Sequence, residues 1–192
     1  MKILLFSVTC LLLIWSLFTF FTETKIEKPL YRVIEKRDGY EIRKYESFLV
    51  ATTPTEGDFN ESVSQGFRVL AGYIFGGNDK DVKIKMTAPV TETVSDTGKS
   101  VQFMIPKEYT MDTLPKPNND LITFKFINPK KMASLSFKGY AKKSRVDHKK
   151  ELLLNHLKKD NLTALSQPIY AGYNSPFAFP LMRRNEILVE IE

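Results

Sequence analysis

The sequence predicts an α+β domain, a distorted antiparallel β-barrel of about eight strands with two flanking helices, preceded by an apolar N-terminal segment. Three observations lead there. Short alternating or β-branched runs recur along residues 31–192, two longer stretches carry helical periodicity, and the element order ββ-α-ββ repeats in both halves, a pseudo-two-fold pattern. A chain of 192 residues has room for one such domain.

From residue 3 to residue 22 there is no charge, and a helix of that length rises about 30 Å, the thickness of a bilayer's hydrocarbon core. Residues 1–22 are therefore read as a membrane anchor or signal segment, 23–30 as a linker, and 31–192 as the folded domain. An uncleaved anchor is preferred to a cleaved signal peptide, because the run ends in bulky Phe18-Thr19-Phe20-Phe21-Thr22 with no small-x-small site. Lys2 on one side, and Lys25 and Lys28 mixed with Glu23 and Glu27 on the other, suit an N-terminus in the cytoplasm and a domain outside it. Cleavage would instead release a secreted domain.

Within the domain, Tyr40, Ile42 and Tyr45 interleave with Glu41, Arg43 and Lys44 after a hairpin turn at Asp38-Gly39. The β-branched run 48–53 stops at Pro54. A helix over 59–75 has Asp58 as its N-cap and Gly76-Gly77-Asn78 as its stop. At 100° per residue Phe59, Val63, Gly66, Phe67, Leu70, Tyr73 and Ile74 form its core stripe. A narrower flank carries Ser64, Arg68, Ala71 and Phe75. It reads either as a half-buried flank with a snorkelling arginine or as a shallow ligand wall with one cationic handle.

Further strands are expected at 83–86, 90–94 and 101–105, with a polar turn at 95–98 and a breaker-rich loop at 113–120. The second half then reads strands 121–127 and 132–139, a helix 145–159 capped by Ser144, and strands 169–173 and 187–191. The stretch 170–181 holds Phe177 and Phe179 between prolines, too broken for a strand and too apolar for an ordinary loop, so it covers the barrel mouth or lines a pocket.

Composition and motifs point away from catalysis. The chain has no G-x-S-x-G elbow, P-loop, H-E-x-x-H or G-x-G-x-x-G. Cys10 is the only cysteine, which precludes an intramolecular disulfide or a cysteine zinc site. His148 and His156, eight residues apart on one helix, stand about 12 Å apart along its axis and cannot share a metal. The net charge of +6 is a mild bias toward anions. Lys142, Lys143, Arg145, Lys149, Lys150, Lys158 and Lys159 scatter around a helix without interleaved aromatics, so nucleic acid is not expected as a partner.

The words Tyr40-Glu41-Ile42-Arg43, FRVLAGYIFGGN at 67–78, KIKMTAPV at 83–90, Tyr173-Asn174-Ser175-Pro176 and Arg183-Arg184-Asn185-Glu186 occur in that order. In this the chain resembles the SOUL haem-binding protein family across residues 31–191. The resemblance implies a distorted barrel with internal pseudo-two-fold symmetry, similar to the effector-binding domains of bacterial regulators, and non-catalytic binding of haem or another tetrapyrrole in an apolar groove beside the first helix of the domain. On it, Ser64, Phe67, Ala71 and Phe75 are expected to form the groove wall and Phe177 and Phe179 its lid. Arg68 is inferred as the propionate partner from its own chemistry, since an arginine pairs well with a carboxylate and it lies one turn from the family's basic position. A histidine proposed as iron ligand in some members stands here as Lys44, and basic residues of others stand as Gly72 and Phe179, so no metal ligand is assigned. Met86 reads as core packing, and Arg183, Arg184 and Glu186 as a structural ion-pair group. The alternative function is a sensor or carrier of another amphipathic small molecule, as in effector-binding domains.

Overall fold

A computed structural model describes residues 2–23, 25–96 and 98–192, with side chains from Leu11 onward except Leu12. The side chain of Cys10, and Thr97 of the expected 95–98 turn, lie outside the described residues. The elements run α1 (Lys2–Glu23), β1 (Tyr31–Arg37), β2 (Tyr40–Tyr45), β3 (Phe48–Thr55), α2 (Phe59–Ile74), β4 (Val90–Ser95), β5 (Gly98–Met104), β6 (Thr123–Ile127), β7 (Lys130–Lys138), α3 (Lys143–Lys159), β8 (Ile169–Gly172), a 3-10 turn Pro180–Met182 and β9 (Arg184–Glu190). Among the described residues no helix is long and apolar enough to cross a membrane.

The α+β expectation holds, with one sheet of nine strands in the order β1-β2-β7-β9-β8-β4-β5-β3-β6, all neighbours antiparallel. It is not closed into a barrel, because β1 and β6 stand at its two ends without pairing to each other. A bulge between Val33 and Glu35 and a row of exposed residues blunt the β1 edge. The strand order is symmetric about the β8–β4 pair: β9 and β5 flank it, then β7 and β3, then β2 and β6. The repeat read in the sequence is therefore real, but its first strands are exchanged. β2 pairs with β7 of the second half, and β6 with β3 of the first.

Strand alternation sorts the core onto two faces. On the helical face, Ile42, Ala133, Leu135, Ile187 and Val189 pack under α3 with Val146, Leu153 and Leu157, while Ala51, Val101 and Phe103 pack under α2 with Leu70, Tyr73 and Ile74. The residues between them, Tyr45, Met132 and Leu188, form a separate cluster with Ala171 and Tyr173 on the opposite face.

α2 begins where its cap predicts. The Asp58 carboxylate accepts from the backbone N–H groups of Asn60 and Glu61, at 2.8 and 3.0 Å, while Glu61 accepts from the Asp58 N–H at 3.0 Å. Asp58→Ala is expected to cost about 1 kcal/mol of stability, read as a shift of the urea midpoint without a change in slope.

Two expectations are corrected. Residues 83–86 form no ladder: the Ile84 N–H donates to the Ile74 carbonyl behind α2, and only Thr87 bridges, to Glu27. The α3 N-cap is Lys142, with no side-chain cap bond, so Ser144 lies within the first turn rather than ahead of it.

Candidate functional site

The helical period of α2 separates the residues assigned to its ligand wall. Ser64 and Arg68 are exposed, and Phe75, at the C-cap, is 62% exposed despite its size. Ala71 is buried, because it borders the core stripe and its small side chain is covered by its neighbours. Phe67 is half-buried, its ring edge-on to Phe103 at 5.4 Å, and it belongs to the core under α2. A Cβ on Gly72 would meet nothing within 4 Å, so the face is open at its centre. Among the described residues no hydrogen bond or ion pair engages Arg68.

At its N-terminal end the same helix borders a hollow of about 750 Å³, counting its open mouth, lined by Val63 and Ser64 together with Tyr140, Lys142 and Arg183. The last three were not assigned to the wall from the sequence. They lie in loops about 76 to 120 residues further along the chain, and no local pattern links them to α2.

The aromatic loop faces another partner. Trp15 Nε1 donates to the Phe177 carbonyl at 2.7 Å, and the Trp15 ring meets Phe179 edge-on at 5.2 Å. Thr19 Oγ1 accepts from the Phe179 N–H and Glu23 Oε1 from the Ser175 N–H, each at 2.9 Å. These contacts come from one stripe of α1 at i, i+4 and i+8. No hydrogen bond or ring contact among the described residues joins Phe177 or Phe179 to α2. Arg183 supports the loop from the domain side, donating to the carbonyls of Pro176 and Ala178 and covering the Tyr140 ring at 4.4 Å.

Three words of the sequence meet in a buried charge cluster on the face opposite the helices. Glu186 is fully buried. Its Oε1 accepts from Arg43 Nη1 at 3.0 Å, Ser136 Oγ at 2.9 Å and Arg184 Nη2 at 2.8 Å, and its Oε2 from the Tyr173 hydroxyl at 2.8 Å. The ion-pair group expected from Arg183, Arg184 and Glu186 is thus real for the last two, and Arg43 takes the place of Arg183. Alternation explains the exchange: Arg184 and Glu186 share a face of β9, while Arg183 precedes the strand. Burial alone would raise the Glu186 carboxyl, and the two guanidiniums with the Tyr173 hydroxyl outweigh it and hold it below its ordinary range. Burial, together with the Glu186 charge, pushes the Tyr173 hydroxyl well above its usual value.

Beside this cluster, Tyr45 and Tyr173 wall one side of a narrow, largely apolar cleft with about 70 Å³ of accessible space. Val50, Met104, Met132, Ile169 and Leu188 line it too, with Thr91, Gln102 and Lys130 as its polar members.

The histidines stand apart from these surfaces. His156 packs its ring on Tyr40 at 5.7 Å and against the Gly39 turn, while His148 is exposed on α3. Lys44 is exposed on β2, and Met86 is half-buried against the core under α2, as core packing requires. Among the described residues no cluster of His, Cys, Asp and Glu could hold a metal ion.

Known proteins resemble this chain in sequence and in fold. A mouse protein, heme-binding protein 2, is 31% identical over 175 residues, covering 84% of each chain. Its human counterpart is 32% identical over 158 residues, 78% of this chain and 76% of its own. Pig heme-binding protein 1 is 29% identical over 176 residues, 84% of this chain and 91% of its own. Among solved structures, the EcmrR C-terminal domain superposes with a TM-score of 0.56 at 13% identity, covering 85% of this chain and 98% of that one. A chain described as a hydrolase from Listeria innocua gives 0.54 at 10% identity, covering 83% and 94%. Likeness at that identity shows the fold alone. The model of the SOUL heme-binding protein family matches residues 26–190, nearly the whole domain and all three words that meet at Glu186, and the chain belongs to that family.

Proposed function

We propose that this chain binds haem or a related tetrapyrrole without catalysis, on the outer face of α2, in a domain attached to a membrane through residues 1–22 and lying outside the cytoplasm. The observation that carries the binding surface is the open face itself: Gly72 with clear space above it, Phe75 exposed, and Arg68 without a partner among the described residues. Ser64 to Phe75 is about 16 Å of helix, the breadth of a porphyrin. Phe75 supplies apolar contact, Phe67 and Ala71 back the wall, and Ser64 opens onto the hollow beside Tyr140. Arg68 meets a propionate, and Lys142 at the hollow offers a second cation. Phe177 and Phe179, expected from the sequence as the lid, are held on α1 and take no part in this site.

Bound haem supplies its own redox and small-ligand chemistry. The chain's residues bind and orient its rim. Burying one porphyrin face of about 200 Å² offers roughly 5 kcal/mol before association costs, so affinity in the micromolar range or weaker is expected. Haemin titrated into the full chain in lipid nanodiscs, against empty nanodiscs, is expected to give a saturable one-to-one Soret shift. A linear, unsaturable rise overturns the reading. Arg68→Glu is expected to weaken binding about tenfold, and an unchanged affinity removes Arg68 from the site.

The apolar cleft beside Tyr45 and Tyr173 favours a second reading, a carrier or sensor of another amphipathic small molecule. A thermal-shift screen separates the two. A non-porphyrin ligand that raises the melting temperature where haemin does not would select the cleft.

A further inference from the structure

The two sides of α1 differ in kind. Trp15, Thr19 and Glu23 hold the aromatic loop. Leu13, Ile14, Leu17, Phe18, Phe20 and Phe21 spread over about 160° of the remaining circumference at 100° per residue, and each is more than half exposed. The loop continues that surface with Phe177 at 76% and Leu181 at 71% exposure. Residues 174–182 carry no charge.

Much of the loop's backbone has protein partners. The N–H groups of Ser175 and Phe179 are taken by Glu23 and Thr19, the Phe177 carbonyl by Trp15, and the Pro176 and Ala178 carbonyls by Arg183. Pro176 and Pro180 have no N–H to satisfy. Water would solvate such groups without help. A medium that cannot hydrogen-bond would demand this provision.

We propose that loop 175–182 and the exposed side of α1 form one lipid-facing surface, seated at the boundary between headgroups and acyl chains of a bilayer. This rests on the membrane-attachment reading above and adds its geometry. A partner helix or groove covers a stripe of roughly 100°, whereas this surface is wider, uncharged and continuous across two elements, as a surface facing a solvent is. Trp15 stands eight residues before Glu23, about 12 Å along the helix. Headgroups occupy only about 5–7 Å on each side of a bilayer, so a loop fastened beside Trp15 reaches the acyl boundary when Glu23 lies at the membrane surface. The domain then rests on the bilayer at a set height instead of swinging on a tether.

Trp15 is the only tryptophan, which gives a direct test. The full chain is reconstituted in phosphatidylcholine vesicles containing lipid brominated near the carbonyl end of its acyl chains. In Trp15→Phe/Phe177→Trp, the indole at position 177 is expected to emit at a blue-shifted wavelength and lose about half its intensity to the brominated lipid. Water-like, unquenched emission from protein that floats with the vesicles overturns the lipid contact while leaving attachment intact. Protein that does not float removes the attachment and the contact together. A second variant probes the other exposed loop position: Trp15→Phe/Leu181→Trp is expected to float and to show the same blue-shifted, quenched emission, and water-like emission at both loop positions overturns the proposal.

Discussion

Glu186→Gln is expected to lower folding stability by about 3 kcal/mol, because it removes the fully buried carboxylate between Arg43 and Arg184 and leaves the buried Arg43 guanidinium with the half-exposed Glu41 as its remaining ion-pair partner. Arg43 cannot escape to water, its side chain being 4% exposed. Arg184→Gln is expected to cost only about 1 kcal/mol, since Arg184 is 37% exposed and its loss leaves Arg43 and Glu186 as a matched pair. Urea unfolding of the two variants separates a charge cluster from simple packing. Equal losses would mean that charge balance is not what the cluster contributes. The same group sets an acid limit. Its carboxyl is held below its ordinary value of 4.5 in the folded state. The stability it contributes is therefore complete above that value and is lost as pH falls through the folded-state value. The acid limb of a stability-pH profile is expected to flatten in Glu186→Gln.

Gly66→Val is the second large effect, about 3 kcal/mol, and acts through the seating of α2. A Cβ on Gly66 would stand 2.3 Å from Val101 Cβ and 3.0 Å from Thr55 Cγ2. Neither contact is with a flexible chain end. The helix must lift from β3 and β5, and with it the face that carries Ser64, Arg68 and Phe75. Gly66→Ala is expected to cost less, since the helix gains up to about 1 kcal/mol when glycine is replaced. Adding Val101→Ala to Gly66→Val is expected to recover part of the loss, and strictly additive effects in that cycle would exclude the close approach as the cause. Haemin affinity should weaken together with stability in Gly66→Val and recover in the double variant.

α2 was legible in the sequence because its signals are local: a capping aspartate, an apolar period and a glycine stop, all within twenty residues. Its partition was less so. Ala71 falls between the core stripe and the open flank, and only the packing around it decides that so small a side chain is covered. Residues 83–86 have the β-branched and alternating look of a strand, but whether such a segment finds a ladder depends on neighbours far away in the chain. Phe177 and Phe179 were legible as a loop unlike ordinary loops, and their partner, Trp15, lies more than 160 residues earlier.

By itself, then, the sequence determined the α+β character, the twofold ββ-α-ββ order, the position of α2 with Ser64, Arg68 and Phe75 on its outer flank, and the family. Periodicity, capping and turn chemistry act over a few residues, and the chain states them outright. Only the tertiary structure decided that the first strands of the two repeats change places, that the sheet stays open between β1 and β6, that Arg43 rather than Arg183 faces Glu186, and that the aromatic loop turns to α1. Each of these is a choice among partners that local signals leave equal. It is settled by which side chains can be buried, paired and satisfied together once every strand is in place.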